Sequence, residues 1–474
     1  MARRRQMIGV ALAATASAFA TTQPRRALAA PPRRRAGARV FTATSPEPSP
    51  EPLDVRGGGG DVAAPARTIR GVPVSVLAVL AGAFLNLLGF TMAGPITPAL
   101  AEHFQLPVGS KVGALTSAYP LGMLVGLLVW PQISDREGWR KKIIVGSLFG
   151  VGVGLFFQAL ALHLKAPYWV FLGLRVLSGL SAGASPVSKA YLADAATDEQ
   201  LPRWLAWREA SSTLAFIVGP LFGGLLFFSS SSLATVVGVT SAGSLLAAAI
   251  TAAFVEEPKT SLSPSSPPPK LLDAGKMPTS CPLGRNLAAA VATICAMSAL
   301  ENAGSACWDA FGAVLAQQRF GLDARGVGLM LTSGACISFA VSTTCFDRVR
   351  SRVGLVNTAV IGLALIAAGL GTVGAATGSL PKFVAAAALY QLGKPLYAPT
   401  VPTLLLQCVP PSKRGLAMGV DSIVNTVARA AAPLLLGGLL KSRGAAAAFA
   451  VASTLVASAA GLALLRADRS AKRA

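Results

Sequence analysis

The chain has 474 residues, of which 53% are hydrophobic and only 13% are charged, with a mean hydropathy of +0.58. A soluble globular domain carries about 25% charged residues, so this composition excludes one and predicts a polytopic membrane protein. The formal net charge is +22, of which residues 1–70 hold +8 and the rest +14. Much of the second share sits in loops and the tail, as the positive-inside rule expects, so nothing favours nucleic-acid binding.

The first 46 residues have the composition of an organelle-targeting segment, with nine Arg, no Asp or Glu, and many Ala, Ser, Thr and Pro. A charged start and a short apolar run lead to a small-residue cleavage site near Ala18, as in a signal peptide. This order resembles the two-part leaders of complex plastids, in which a Phe such as Phe19 follows the cut. A simple chloroplast or mitochondrial transit peptide and an untargeted tail are the alternatives. A plastid envelope is therefore the expected location, with the mitochondrial inner membrane, the plasma membrane and endomembranes as alternatives.

Twelve apolar spans follow, each long enough to cross a hydrocarbon core of about 30 Å as a helix. They are predicted at 74–100, 110–131, 141–163, 167–193, 204–228 and 231–255, then at 286–316, 326–346, 353–377, 382–408, 415–440 and 444–466. Between the two sets lies a Pro- and Ser-rich stretch that cannot be helical. The predicted domains are a leader and linker at 1–70, a bundle at 71–255, a central loop at 256–285, a second bundle at 286–466 and a basic tail at 467–474.

The loop between the second and third spans, residues 131–142, is a short polar block with four basic residues against two acids. An excess of Lys and Arg in a short loop marks the side of the membrane that is not translocated. The segment after the eighth span repeats the block in weaker form, which is typical of duplicated six-helix units. The pattern Asp135-Arg136-x-Gly138-x-Arg140-Lys141 resembles the loop signature of the major facilitator superfamily.

This block suits a conformational latch. An aspartate at a helix end can pair with arginines and with the N-terminus of a neighbouring helix, at about 0.3–2 kcal/mol for each contact. Contacts made in only one conformation would bias a two-state equilibrium. The residues expected to form the latch are Asp135, Arg136, Gly138, Arg140 and Lys141, with Asp347 and Arg348 in the second copy.

The resemblance covers about residues 72–466. It implies an all-α membrane protein with twelve transmembrane helices in two pseudo-symmetric six-helix bundles, which transports a small molecule by alternating access. The first span is similar to that of the tetracycline-efflux type of drug:proton antiporter, since Gly89, Pro95 and Pro98 match. Asn86, however, stands where that branch places a membrane-embedded aspartate. An amide cannot bind and release protons, so proton coupling through this position is not expected.

Arg175, Gly179, Gly183 and Asp194 match the family's fourth-helix pattern. A guanidinium inside an apolar helix is costly, so Arg175 should face the bundle interior and pair with a group there. An Arg that binds backbone carbonyls, with a structural role only, is the alternative.

The fifth span contains Gly219, Pro220, Gly223 and Gly224, which resemble the antiporter motif of the superfamily. A proline kink and small residues allow helices to approach closely and to rock against one another. A pure packing role is the alternative.

The spans of the second half are rich in polar residues. These are Glu301, Asn302 and Asp309 in the seventh, Gln391 and Lys394 in the tenth, and Asp421, Asn425 and Arg429 in the eleventh. A spacing of three places Gln391 beside Lys394, and the eleventh-span residues form one stripe facing water or a partner helix. A neutral structural network is the alternative for that stripe. Arg175 and Lys394 as cavity cations, with Glu301 or Asp309 as titrating groups, favour an anionic or zwitterionic substrate.

The sequence contains no Walker loop, zinc signature or nucleophile elbow, so neither an enzyme nor ATP-driven transport is expected, and no cofactor or metal. The six cysteines form no CxxC pair, and small apolar filler is their expected role. Three functions stay open: an antiporter of a drug or metabolite, a proton-independent facilitator or organic-anion exchanger, and a non-transporting sensor. The expected partners are the lipid bilayer, a small-molecule substrate and, for the first function, protons, with the chain acting as a monomer.

Overall fold

The computed structural model describes residues 68–69, 72–196, 200–257, 287–376, 378–409 and 414–471. Apart from residues 68–69, the predicted leader and linker lie outside these residues, as do nearly all of the central loop and the end of the tail. A short antiparallel ribbon, β1 (Thr68–Ile69) and β2 (Val72–Pro73), precedes the helices.

The helices form two consecutive sets. The first set contains α1 (Val74–Met92), α2 (Thr97–His103), α3 (Ser110–Glu137), α4 (Arg140–His163), α5 (Tyr168–Ser181), α6 (Ser185–Ala195), α7 (Leu201–Ser230) and α8 (Leu233–Phe254). The second set contains α9 (Leu287–Phe320), α10 (Ala324–Thr344), α11 (Phe346–Val353), α12 (Leu355–Ala375), α13 (Leu380–Tyr397), α14 (Thr400–Cys408) and α15 (Arg414–Ala471). Each predicted span coincides with helix, and each set packs as a bundle.

Three predicted spans are broken rather than continuous. The first divides into α1 and α2, the fourth into α5 and α6, and the tenth into α13 and α14. In the fourth, Gly183 has φ +123°, and a Cβ there would lie 2.6 Å from the Gly126 carbonyl carbon. Only glycine fits this turn against α3. Trp130 Nε1 donates to the carbonyl of Leu180 at 2.9 Å, which satisfies a group that the break leaves free.

Two boundaries differ from the prediction near the basic loops and tail. Residues 347–352, predicted as a loop, lie in the helix α11, which ends at Gly354, whose φ is +83°. Helix α15 continues to Ala471, so the start of the predicted tail is helical. Within α15, Gly444 has φ +82° and separates the eleventh span from the twelfth.

The outer surface is apolar, as lipid contact requires. Among the described residues, nine helices are long and apolar enough to cross a membrane, the last of them extending across Gly444. Side chains such as Leu435 (74% exposed) and Trp169 (69% exposed) point outward, where hydrocarbon rather than water would cover them. Helices α9 and α13 carry charged residues that lower their mean hydropathy.

The two bundles meet along α3 with α15 and along α7 with α10. Backbones approach closely there because the contact residues are small. A Cβ on Gly113 of α3 would clash with the Pro433 carbonyl of α15, and one on Gly224 of α7 would clash with the Ala324 carbonyl of α10. We call these two contacts the glycine seam. It leaves no room for a side chain, so the bundles touch backbone to backbone.

The glycine seam lies at one end of the molecule. We call the end with residues 131–142 and α11 the basic end, and we name the opposite end the uncharged end after its turns at 231–232 and 378–379, which contain no charged residue. Near the uncharged end Thr332 Oγ1 donates to the Ile217 carbonyl at 3.0 Å, and Gln317 Nε2 donates to Glu102 Oε1 at 2.7 Å. The contacts between the bundles described here therefore lie toward the uncharged end, whereas residues 342–344 of α10, toward the basic end, are exposed.

Candidate functional site

The predicted latch makes its described contacts inside the first bundle. Gly138, with φ +68°, ends α3 in the left-handed conformation that glycine favours. This turn brings Arg140 back toward the end of α3, where Arg140 Nη1 donates to Ser134 Oγ at 3.0 Å. Arg140 Nε also pairs with Asp194 Oδ2 of α6 at 2.9 Å. Arg140 therefore ties the second and fourth spans together.

The other latch residues are placed differently. Arg136 is exposed, and Lys141 contributes its backbone N–H, which donates to Glu257 Oε1 at 3.1 Å. The side chain of Asp135 lies outside the described set.

The second copy of the block differs because it lacks the glycine. Arg350 occupies the position that Gly138 has in the first copy, and the chain continues as α11 instead of turning. Asp347 is exposed, and Arg348 Nη1 donates to the Thr344 carbonyl at 2.7 Å. This copy therefore caps the end of α10 rather than joining two spans.

A small cavity of about 50 Å³ lies inside the first bundle. Its polar lining consists of Asn86, Tyr119, Gln158, Arg175 and Thr240, and the rest is apolar. Arg175 is half-buried, and its Nε atom is buried with no hydrogen-bond partner among the described residues. Its guanidinium lies 6.0 Å from the Phe171 ring. The predicted pairing of Arg175 with another group is not formed by its Nε atom.

Tyr119 and Gln158 were missed from the sequence. Gln158 is buried and its Nε2 donates to Ser178 Oγ at 2.7 Å. Gln158 is the one amide side chain in the predicted span 141–163, a signal that could have found it.

The glycines of the fifth span pack against two different helices, α1 and α10. Gly219 and Gly223 face α1, where an added Cβ would clash with the Thr91 side chain and the Met92 carbonyl. Gly224 faces α10, as does the carbonyl of Pro220, which approaches Gly328. One helix thus packs tightly both within its bundle and across the glycine seam.

Two of the predicted site residues meet in the second bundle. Glu301 is 4% exposed, and its Oε1 accepts from Lys394 Nζ at 3.0 Å and from Ser305 Oγ at 2.6 Å. The Lys394 ammonium also lies 5.4 Å from the Tyr390 ring centre. The Glu301–Lys394 pair is neutral overall, so Lys394 is not an uncompensated cation in this conformation.

Among the described residues, neither Asp309 nor Gln391 forms a hydrogen bond or ion pair with Glu301 or Lys394. Asp309 is exposed on α9, about two turns nearer the uncharged end than Glu301. Gln391 turns to α10, because Ser338 Oγ donates to its carbonyl at 2.9 Å and lies 3.2 Å from its Oε1. Gln391 and Lys394 are therefore bound to different helices, although three residues separate them.

The remaining second-half candidates lie on α9 and α15. Asn302 Nδ2 donates to the Ser298 carbonyl at 2.9 Å. On α15, Asn425 Nδ2 donates to Asp421 Oδ2 at 3.0 Å. Arg429 is half-buried and forms no hydrogen bond or ion pair with another described residue. The predicted stripe is thus a hydrogen-bonded pair with a separate cation.

A further charged cluster lies near the basic end of the first bundle. Arg208 is 8% exposed, and its guanidinium contacts Ser185 Oγ at 2.6 Å and Glu209 Oε1 at 3.1 Å. Lys189 Nζ lies 3.3 Å from the same Glu209 oxygen. The three charges at the start of the fifth span and the end of the fourth were visible in the sequence but were not selected.

The cysteines agree only in part with the expectation that they are small apolar filler. Cys295 and Cys307 are free and buried, and Cys345 is free and exposed. Cys408 is disulfide-bonded, so the expectation is wrong there.

A model of the Major Facilitator Superfamily matches residues 79–306 and 303–474. The chain belongs to this family. Multidrug resistance protein 1 of Bacillus subtilis is 24% identical to this major facilitator over 368 residues, which is 77% of this chain and 90% of that protein. The class B tetracycline resistance protein of Escherichia coli is 28% identical over 142 residues, 30% of this chain and 34% of that protein. The predicted resemblance to the tetracycline-efflux branch is confirmed.

Solved major facilitators share the fold. A bacterial homologue of the human lysosomal transporter Spinster, in an inward-facing and unoccupied conformation, superposes with a TM-score of 0.65 at 17% identity, covering 84% of this chain and 97% of that one. The human organic anion transporter MFSD10 gives a TM-score of 0.56 at 19% identity, covering 82% and 99%. This chain is therefore a multi-pass membrane protein of the secondary transporter class.

We predict that Glu301 and Lys394 are energetically coupled. Glu301→Gln should destabilise the protein by about 1–3 kcal/mol, since it leaves an ammonium unpaired beside apolar helices. Lys394→Met in the Glu301→Gln background should restore part of that loss, because no charge is then left alone. Thermal unfolding of the unaltered protein, Glu301→Gln, Lys394→Met and the double variant in lipid nanodiscs measures the coupling.

Arg319→Gln is the matched control, since it removes an exposed charge from the same helix, and it should change the midpoint little. Additive losses in the double variant would contradict the coupling.

Proposed function

We propose that this major facilitator is an antiporter that exchanges small organic anions or zwitterions across an organelle envelope. The observation that carries the proposal is the buried Nε atom of Arg175 in the cavity of the first bundle, which has no hydrogen-bond partner among the residues that the structure describes. A guanidinium in a membrane protein's interior usually pairs with an acid or with carbonyls. A substrate carboxylate would supply the missing partner, with the apolar lining contacting the rest of the molecule.

The same observation favours exchange over one-way passage. Closing the cavity around Arg175 without an anion would desolvate an unpaired charge, which costs several kcal/mol. The loaded carrier would close more readily than the empty one, because the substrate neutralises the guanidinium. Each crossing would then require a substrate, and this requirement defines an exchanger.

A proton-coupled version is the second candidate, and the Glu301–Lys394 pair favours it. Asn86 cannot carry a proton, so the acid must lie elsewhere. Protonation of Glu301 would release Lys394 to a substrate anion, which links the proton to the substrate. Relatives whose names denote multidrug and tetracycline resistance support a small organic solute in either version.

The latch residues have a proposed place in this cycle. In the conformation described, Arg140 binds Asp194 and Ser134 within the first bundle. When the basic end closes, residues 131–142 and α11 would approach each other across the cleft. The exposed Arg136, Asp347 and Arg348 are then available for contacts between the bundles.

Uptake into proteoliposomes that contain the full chain tests the proposal. Labelled organic anions, amino acids and lipophilic cations are offered with and without unlabelled substrate inside, and with and without a pH gradient. We expect anion uptake that requires internal substrate and that falls at least about tenfold in Arg175→Gln, because a charge-assisted contact is lost.

Arg319→Gln, which removes an exposed cation at the end of α9, is the matched control and should retain uptake. Flux that follows the pH gradient and is lost in Glu301→Gln would favour the proton-coupled version. No flux of any compound would support a sensor without transport.

We also propose that residues 1–70 direct the protein to a plastid. Their Arg-rich, acid-free start supports this location. Residues 1–70 fused to a fluorescent protein should accumulate in plastids when expressed in cells that contain them, because the segment has the composition of a transit sequence. Variants with Arg25, Arg26, Arg33, Arg34 and Arg35 changed to Ser should remain in the cytosol. A diffuse signal from the unaltered fusion would refute the proposal.

A further inference from the structure

Arg208 of α7 is a buried cation whose hydrogen bonds are incomplete. It is 8% exposed, and its two terminal nitrogens donate to Ser185 Oγ at 2.6 Å and to Glu209 Oε1 at 3.1 Å. Its Nε atom is buried and has no hydrogen-bond partner in the described part of the chain. A guanidinium has donors only, and buried donors in native proteins are nearly always paired. The Nε–H group therefore calls for an acceptor that the described residues do not supply.

The guanidinium is directed at the N-terminus of α6. Ser185 is the first residue of this 11-residue helix, which begins just after Gly183 breaks the fourth span. Within the described residues, no side chain caps the start of α6, and its first turn contains no acid. The free backbone N–H groups and the helix dipole give such an end a partial positive charge. A helix that begins inside a membrane bundle in this way attracts an anion.

The charged side chains around this N-terminus leave one positive charge in excess. Lys189 Nζ lies 3.3 Å from Glu209 Oε1, the same oxygen that accepts from Arg208. Two cations therefore share one carboxylate. The nearby pair of Arg140 and Asp194 is neutral by itself and does not compensate them. Charges inside membrane spans are usually paired, and a single bound anion would make this cluster neutral.

The cluster lies on the side of the first bundle that faces the second bundle. Eleven residues, or about three helical turns, separate Glu209 from Pro220, so both lie on one face of α7. On that face the carbonyl of Pro220 approaches Gly328 of α10. Glu209 is exposed three turns nearer the basic end, and so is Phe339, which lies eleven residues beyond Gly328 on α10. An anion would therefore reach the cluster from the cleft between the bundles.

We propose that Arg208, Ser185 and Lys189 form, with the N-terminus of α6, a binding site for a compact oxyanion, namely a carboxylate or phosphate group. Nε and Nη2 lie on one edge of the guanidinium, so an oxyanion beside Ser185 can accept from both. Ser185 Oγ accepts from Arg208, which leaves its hydroxyl proton to donate to the same ligand. Glu209 competes with the ligand for both cations, and the ligand displaces it from Lys189.

This site is separate from the cavity of Arg175, which Arg208 does not line. The oxyanion can belong to a dissolved solute or to a lipid head group, and the position on the cleft side favours a solute. In the exchange cycle proposed above, the site would hold a substrate anion near the basic end before it reaches Arg175. That role rests on the proposed function, whereas the site itself can be tested without transport.

Thermal unfolding of the purified full chain tests the site, with inorganic phosphate as the probe. The protein is held in phosphatidylcholine nanodiscs at pH 7, and sodium phosphate replaces NaCl at constant ionic strength. We expect the unfolding midpoint to rise saturably by about 2 °C between 0 and about 20 mM phosphate, since a ligand that binds only the folded state stabilises it. Arg208→Gln should abolish the rise.

Two further variants separate a binding role from a structural one. Ser185→Ala should move the half-saturation at least about threefold higher, because a hydroxyl donor is lost. Glu209→Gln should move it at least about threefold lower, because the competing carboxylate is removed. Arg203→Gln is the matched control, since it removes an exposed cation from the same helix and should leave the rise unchanged.

If Arg208→Gln does not fold, Ser185→Ala and Glu209→Gln decide the outcome. A rise that these variants leave unaltered would be a general salt effect and would overturn the proposal, as would a rise that only Arg175→Gln abolishes. A stabilisation by phosphatidylglycerol nanodiscs that requires Arg208, with no effect of phosphate, would assign the site to a lipid head group. Phosphate binding that requires Arg208 in a chain without anion flux would uphold the site and refute the exchange cycle.

Discussion

Backbone contact between the two bundles is the constraint on which the rest of this structure depends. Lipid gives apolar helices little reason to associate, so packing must hold them together. At Gly113 and Gly224 the absence of a side chain lets helices of opposite bundles touch through their carbonyls. Such a contact is short-ranged, so it is either made in full or lost altogether. It therefore favours two discrete arrangements of the bundles over a continuous range, and it holds the bundles together at the uncharged end.

The polar interior can be understood from how each charge is compensated. Glu301 and Lys394 neutralise each other and hold α9 to α13. Arg140 and Asp194 do the same at the basic end of the first bundle. Arg175 retains a buried Nε atom that has no hydrogen-bond partner in the described part of the chain. Structural pairs thus stabilise the bundles, while the incompletely paired cation is the position where a ligand would gain most from binding.

Much of the fold could be predicted from the sequence because the length of an apolar span and the charge of a loop are both properties of a short stretch of chain. The span positions, the two bundles and the family could be predicted from hydropathy and from the block at 131–142. The breaks at 182–184 and 398–399 could not, since they depend on which helix lies opposite, as the contact of Gly183 with Gly126 shows. The difference between the two copies of the block was visible in the sequence, in Arg350 at the position of Gly138, but its consequence needed the backbone geometry.

The sequence identified most of the polar residues of the site but not which of them contact one another. Charged residues in apolar spans identified Arg175, Glu301, Lys394 and Asp421, because such residues are rarely tolerated without a role. Helical spacing then grouped Gln391 with Lys394, whereas the structure binds them to different helices. Sequence spacing describes one helix at a time, and the partners of these side chains come from others. Tyr119 was missed because an aromatic residue in an apolar span looks like ordinary core.

Distances between spin labels at both ends of the cleft, measured by pulsed electron paramagnetic resonance in nanodiscs, test alternating access most directly. In a Cys345→Ser background, one pair is Arg136→Cys with Arg348→Cys at the basic end, and the other is Ser229→Cys with Ser442→Cys at the uncharged end. Gly224→Leu should break the glycine seam, lengthening the distance at the uncharged end and shortening it at the basic end. Gly243→Leu, with no atom within 4 Å of its added Cβ, should change neither distance. An uncharged end that opens while the basic end stays apart would contradict the account.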